Sequence, residues 1–80
     1  MTIHCVVSGA VFPIPVKPDT RVGQLRMKAL VAAQQPVLSS NEWEVRNTDG
    51  KELVISNTLA HSDLSDGDKV YIDPRPGVGA

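Results

Sequence analysis

The sequence has little of several features that would reveal a function directly. Its single cysteine, Cys5, cannot form an internal disulfide. Its formal net charge of −1 gives no electrostatic reason to expect nucleic acid or an anionic membrane as a partner. No apolar run approaches the length of a membrane span, and the opening residues 1–4 lack the positive charge of a signal peptide. We therefore expect a cytoplasmic protein.

Residue types for catalysis and metal binding are also scarce. The two histidines, His4 and His61, lack carboxylate or cysteine neighbours at ligand spacing. The stretch DLSDGD at 63–68 resembles a calcium loop but lacks its ligand spacing and closing glutamate, which favours a turn. Cys5 falls on the inward face of an alternating segment and is expected to be a buried small hydrophobe. We predict no metal, no cofactor and no enzymatic activity.

The first part of the chain predicts a β-hairpin. With 80 residues, 41% of them hydrophobic, the chain is sized for one globular domain. Apolar and polar residues alternate in TIHCVV at 2–7 and in VFPIPVK at 11–17, on either side of the turn residues SGA. Pro13 and Pro15 stand two positions apart, so their missing N–H groups lie on one side of the strand. Such a strand belongs at a sheet edge.

A helix is predicted from about Arg21 to Gln35. Asp19 or Thr20 is the expected N-cap, and Pro36 the expected stop. Apolar residues recur at three- and four-residue steps, which predicts one buried face with Arg26 and Lys28 pointing elsewhere. The residues of that face are Val22, Leu25, Ala29 and either Ala32 or Ala33.

The second half predicts further strands joined by turns. In EWEVRN, Trp43 and Val45 are expected to face inward, and Glu42, Glu44 and Arg46 outward. The Asp-Gly turn at 49–50 leads to a short strand expected at Leu53 and Ile55. The remaining apolar anchors are two leucines in a compact connection, Leu59 and Leu64, and two positions of a last strand at 69–73, Val70 and Ile72.

This element order predicts an α+β fold. The last strand is buried most simply beside the first and parallel to it, with the helix crossing one face. The result is a β-grasp arrangement, a mixed sheet of four to five strands with one helix packed across one face. We predict a domain over residues 1–73 and a C-terminal tail over residues 74–80.

Particular stretches resemble ubiquitin and the ubiquitin-like proteins over essentially the whole chain. VKPDT at 16–20 resembles the segment that leads into that family's helix. GKEL at 50–53 resembles the family's Gly-Lys-Gln-Leu turn, and TLAHSDL at 58–64 resembles Thr-Leu-Ser-Asp-Tyr-Asn-Ile. Counted from the last strand, Arg75 falls on a tail arginine and Gly79 on the terminal glycine. The order of these matches along the chain carries the resemblance.

The chain also departs from the family pattern. The apolar recognition patch of ubiquitin is replaced by Gly9, approximately Arg46, and Asp73. Val78 stands before Gly79, where the family's modifiers mature to Gly-Gly. With these differences the chain resembles a divergent bacterial ubiquitin-like protein. We expect such a protein to be a monomer and to have its own set of enzymes.

The resemblance implies a chemistry for the tail. Gly79 is the expected site of adenylation and conjugation, and cleavage between Gly79 and Ala80 would mature a precursor. Arg75, Gly77 and Val78 would be recognised along the tail, since glycine admits close backbone approach and arginine offers a charged donor. The implied partners are an E1-like activating enzyme, an E2-like conjugating enzyme, a processing or deconjugating peptidase, and target proteins.

Several alternatives stay open. Ala80 could itself be the working terminus or a cloning residue. Lys51 would occupy the family's main chain-linking lysine position, although Lys17, Lys28 and Lys69 are further candidate acceptors. A sulfur carrier with a C-terminal thiocarboxylate shares the fold, and a non-covalent β-grasp adaptor would have an inert tail.

Overall fold

A single mixed sheet with one helix across it forms the domain. The computed structural model describes residues 1–35 and 42–74. Four strands, β1 (Thr2–Val7), β2 (Ala10–Pro15), β3 (Trp43–Arg46) and β4 (Lys69–Pro74), are ordered β2-β1-β4-β3. β1 and β4 run parallel, and the other two pairs are antiparallel. The helix α1 spans Val22–Ala32. This confirms the predicted β-grasp arrangement, with four strands.

The β1–β2 hairpin follows from its turn chemistry. Ser8 and Gly9 both have positive φ, 51° and 83°, as a two-residue type I′ turn requires. With this turn, the pairs joined by backbone hydrogen bonds are Val7–Ala10 and every second pair after it. Pro13 and Pro15 therefore occupy the positions whose N–H would point away from β1. Among the described strands β2 pairs only with β1, so the predicted edge strand is confirmed.

The helix begins later than the sequence predicts. Its N-cap is Arg21, not Asp19 or Thr20, and the Arg21 N–H donates to Gln24 Oε1 at 2.9 Å. The first helical N–H groups find their acceptors in a distant loop: Val22 N donates to Asn57 O at 2.9 Å, and Gly23 N to Ile55 O at 3.0 Å. These carbonyls satisfy donors that a side-chain cap normally serves.

Helix α1 buries one unexpected charge. Val22, Leu25 and Ala29 are fully buried as predicted. The last buried position of this face is Leu30 and not Ala32 or Ala33, since Ala32 is exposed and Ala33 is only partly buried. Arg26, expected to point outward, is only 6% exposed, and its Nη1 donates to the Trp43 backbone carbonyl at 3.1 Å. The hydrogen bond to this carbonyl offsets part of the cost of burying the guanidinium.

The end of α1 is set by backbone geometry. Gln34 has φ 59°, its N–H donates to Val31 O at 3.0 Å, and Gln35 N donates to Leu30 O at 2.8 Å. This pair of bonds is a Schellman motif. The helix therefore ends at Ala32, short of the predicted Gln35. Pro36, the predicted stop, lies outside the described residues.

The outer edge of β3 is covered by an irregular segment. Leu53 N donates to Val45 O at 2.8 Å, and Asn47 N to Lys51 O at 3.0 Å. The expected strand at Leu53 and Ile55 is wrong: only an isolated bridge joins Arg46 and Glu52. Leu53 is buried, whereas Ile55 is 42% exposed because its carbonyl, not its side chain, is held at the helix start.

Glu44 is more buried than the alternation along β3 predicts. It was expected to face solvent but is only 6% exposed. Its Oε1 accepts a hydrogen bond from Arg46 Nε at 2.8 Å, on the same side of β3. Alternation along β3 therefore indicated the correct face, but not the burial, since a neighbouring side chain partly covers the carboxylate.

Both predicted leucine anchors lie in the core. Leu59 is fully buried and Leu64 is 8% exposed, in the connection that leads to β4. Gly67 N donates to Thr2 O, and Asp66 Oδ1 accepts from Thr2 N, so this connection is fastened to β1. The buried core comprises Ile3, Cys5, Val7, Ile14, Val16, Val22, Leu25, Ala29, Leu30, Val45, Leu53, Leu59, Leu64, Val70 and Ile72.

We expect Gln34→Gly to stabilise the domain. A non-glycine residue at positive φ costs about 1–2 kcal/mol, part of which glycine loses again as unfolded-chain entropy. The net gain should be about 0.5–1 kcal/mol in the free energy of unfolding, measured by urea titration. Gln35→Gly is the matched control and should not stabilise. A loss of stability in Gln34→Gly would contradict the Schellman assignment.

Replacing Arg26 by alanine should destabilise the domain by about 2–3 kcal/mol, since packing and a buried hydrogen bond are both lost. Lys28→Ala, two positions on and exposed, should change stability by no more than about 0.5 kcal/mol. Chemical denaturation of both variants tests this difference. Equal effects would show that Arg26 contributes no more than a surface residue.

Candidate functional site

The last strand, β4, is paired on both sides. β4 pairs with β1 through His4–Lys69 to Val7–Ile72, and with β3 from Arg46–Tyr71 to Trp43–Pro74. Val70 and Ile72 are fully buried between these neighbours. Pro74, the final described residue, is exposed beside Trp43. The segment that follows is thus attached to a central strand, not to an edge.

The predicted tail residues follow this point. Arg75, Gly77, Val78, Gly79 and Ala80 lie outside the described residues, so the structure does not test their roles. The division of the chain into 1–73 and 74–80 likewise stays a prediction. The structure does show where the predicted tail begins. Pro74, the last residue of β4, lies at the same end of the sheet as the first residue of β3.

Lys51 lies on a turn built by one side chain. Asn47 Oδ1 accepts from the N–H groups of Asp49 at 2.9 Å and Lys51 at 3.0 Å. Gly50 has φ 81°, and its carbonyl accepts from Arg46 Nη1 at 2.6 Å. The Lys51 side chain is exposed, as an acceptor lysine requires. These hydrogen bonds fix the backbone of the turn, so the side chain of Lys51 starts from a defined position.

A polar groove of about 450 Å³ lies beside this turn. Two lysines, Lys51 and Lys69, and the exposed His61 line it together with acidic residues. The acidic side chains outnumber the lysines four to two, so the groove does not favour an anion. The acidic residues at the groove are Asp49, Glu52, Asp63 and Asp68.

The three positions that replace the apolar patch of ubiquitin do not form an apolar surface. Gly9 is exposed at the hairpin turn, and Asp73 is exposed on β4. Arg46 is engaged by Glu44 and by the Gly50 carbonyl. A receptor that inserts apolar side chains would meet an ion pair here.

One apolar row on the open face of the sheet was not predicted. The pairings Val11–Val6 and Val6–Tyr71 place these three side chains side by side on β2, β1 and β4. Val11 is 52% exposed and Tyr71 37%. The alternation of each strand marks these residues as outward, but only strand order shows that they are neighbours.

The described residues do not provide a reactive thiol or a metal site. Cys5 is fully buried, and burial raises the pKa of its thiol to about 12, so the thiol stays protonated near neutral pH. Within residues 1–35 and 42–74 we find no cluster of metal-ligating side chains. In the same ranges no helix has the length and apolarity needed to cross a bilayer.

Comparison with solved structures identifies the class of fold. A structure titled "Caldiarchaeum Subterraneum Ubiquitin" superposes with a TM-score of 0.79 and 26% identity, covering 100% of this chain and 98% of that one. The chain is therefore a ubiquitin-like β-grasp protein. It belongs to the family described as "Protein of Unknown function (DUF2604)", which matches residues 1–79.

A second solved structure shares the fold alone. The structure titled "Crystal structure of ATBAG1 in complex with HSP70" gives a TM-score of 0.80 at 16% identity, covering 95% of this chain. This chain spans 41% of the length of that one. No curated protein matches the sequence.

Cys5 should resist thiol reagents in the folded protein. Since the thiol is buried and protonated, iodoacetamide at pH 8 should modify it at least about 100-fold more slowly than in guanidinium, where it is exposed. Intact mass over time measures both rates. Fast labelling of the folded chain would show that the thiol is accessible and would reopen a chemical role for it.

Proposed function

We propose that this chain is a ubiquitin-like protein modifier that is conjugated through Gly79. A peptidase first hydrolyses the bond between Gly79 and Ala80. The Gly79 carboxylate then attacks the α-phosphate of ATP on an E1-like enzyme, and pyrophosphate leaves. An enzyme thiolate displaces AMP, the acyl group passes to an E2-like enzyme, and an amine of a target protein finally displaces the thiol.

The observation that carries this proposal is the match of the whole chain to a whole ubiquitin. The superposition covers 100% of this chain and 98% of that neighbour. β4, paired on both sides, ends at an exposed Pro74. Gly77 and Gly79 follow within a few residues, and residues without a Cβ suit the narrow channel of an activating enzyme.

The rest of the surface supports a role as a substrate of enzymes. Cys5 is inaccessible, and the described residues hold no metal cluster. We propose that the protein is not itself an enzyme, and that it works in the cytoplasm as a monomer.

Sulfur carriers and non-covalent adaptors also have this fold. The covalent product that each would form distinguishes them from a modifier. A carrier would gain sulfur in place of oxygen at its terminus and become about 16 Da heavier. An adaptor would form no covalent product. Val78 departs from the Gly-Gly end of carriers and of modifiers alike, so the product of the reaction, and not this position, separates the two functions.

Tagged protein recovered from cells of its own source organism tests the proposal. Trypsin does not cut between Arg75 and Pro76, so its last cut before the end falls after Lys69. A conjugated target should therefore carry Val70 to Gly79, the sequence VYIDPRPGVG, on its acceptor amine. Mass spectrometry of tryptic peptides should find this remnant on target lysines.

Matched variants make the result decisive. A chain shortened by Ala80 should still be conjugated, whereas one ending at Val78 should give no remnant. Both should unfold at the same temperature as the full chain, because the sheet ends at Pro74.

Lys51→Arg should leave target conjugation intact and remove only remnants on Lys51. Conjugation that persists without Gly79, or a remnant that ends at Ala80, would contradict the assignment.

A further inference from the structure

Helix α1 exposes apolar side chains on the face opposite the core. Met27 is 47% exposed and Val31 is 60% exposed. Residues four apart on a helix are neighbours on its surface, so the two side chains form a continuous apolar pair. They lie on a helix whose other side, including Leu25 and Leu30, is fully buried, so the pair has a rigid base.

Ile55 extends this pair to the start of the helix. Gly23 N donates to Ile55 O, and a Cβ at Gly23 would lie 3.3 Å from that oxygen and 3.6 Å from Ile55 Cβ. Gly23 thus lets residue 55 lie close against the helix, one turn before Met27. Ile55, Met27 and Val31 form what we call the outer stripe. It runs about 12 Å along the helix, from residue 23 to residue 31.

The surroundings of the outer stripe are basic. α1 contains no acidic residue, and Arg21 and Lys28 are exposed beside the stripe. Eight of the nine acidic residues of the chain come after residue 41, whereas four of its eight basic residues lie before residue 36. An apolar stripe with basic borders is complementary to an apolar surface with acidic borders.

Two other occupants fit less well. In a symmetric pair of this chain, each stripe would meet its own copy and bring like charges together. A lipid surface is held by clusters of basic residues, whereas here two exposed basic residues border the stripe in a chain of net charge −1. A narrow, rigid stripe matches the width of a single helix.

We propose that the outer stripe is a docking surface for an amphipathic helix of a partner protein, whose apolar side chains at four-residue spacing are flanked by Asp or Glu. Apolar contact would come from Ile55, Met27 and Val31, and orientation from Arg21 and Lys28. This surface does not involve the tail, so it is independent of conjugation at Gly79.

A designed peptide tests the proposal with the full chain. The probe is a fluorescent helix of about 16 residues with leucines at four-residue spacing and glutamates on both sides of them. Its matched control carries lysines in place of the glutamates. The acidic peptide should shift the backbone amide resonances of residues 21–31 and 54–56, and its binding should weaken with added salt. The basic peptide should not bind.

Variants locate the contact. Met27→Ser and Val31→Ser should each weaken binding of the acidic peptide by about tenfold, measured by fluorescence anisotropy. Lys28→Glu should weaken it and raise the affinity for the basic peptide. Val11→Ser changes an apolar residue of similar exposure on the open face of the sheet and should leave binding unchanged. Equal melting temperatures establish that each variant is folded.

Four results would overturn the proposal. They are no resonance shifts at millimolar acidic peptide, shifts confined to the open face of the sheet, equal binding of both peptides, and binding unaffected by Met27→Ser and Val31→Ser. Concentration-dependent shifts at the outer stripe without peptide would assign it to a second copy. Stripe-dependent binding to phosphatidylglycerol vesicles would assign it to lipid. Either assignment also overturns the proposal.

Discussion

Parallel pairing of β1 with β4 is the constraint on which the rest of the structure depends. It joins segments from opposite ends of the chain, with His4 opposite Lys69 and Val7 opposite Ile72. A parallel pair needs a long crossover, and the helix, β3 and the connection that holds Leu59 all lie within it. Closing so long a loop costs entropy, which the fully buried Cys5, Val70 and Ile72 offset by apolar burial.

The same pairing decides which surfaces remain available to partners. β4 is central, so the chain beyond Pro74 starts from a well-anchored strand. At one sheet edge Pro13 and Pro15 lack the N–H groups that an added strand would need. At the other, residues 51–53 bond to β3. In the described part of the chain, partner recognition therefore falls to side-chain surfaces, since neither edge offers a free ladder.

These surfaces differ in chemistry. The helix side combines exposed apolar residues with basic ones, whereas the acidic residues belong mostly to the second half of the chain. The position of ubiquitin's apolar patch holds the ion pair of Arg46 and Glu44. A protein with the fold of ubiquitin but a different distribution of charge and apolar surface is suited to different partners. Specificity depends on such mismatches as much as on attraction.

Local sequence patterns were sufficient to predict most of the architecture. Alternation predicted β1, β2 and β4, the two prolines predicted the edge, and Leu59 and Leu64 were correctly expected in the core. These signals succeed because strand faces, turns and proline positions are decided by near neighbours in sequence. Lys51 could be located on its turn for the same reason, through the Asp-Gly signal before it.

Only the tertiary structure decided where distant groups meet. The α1 N-terminus is satisfied by carbonyls of Ile55 and Asn57, so no N-cap side chain was needed. Arg26 is buried because the Trp43 carbonyl lies within its reach, and nothing in the helix sequence indicates that acceptor. The neighbours of Tyr71 and Met27 depend on strand order and on the packing at Gly23. Sequence therefore determined which face each element presents, whereas the fold determined which partners each face meets, because those partners come from elsewhere in the chain.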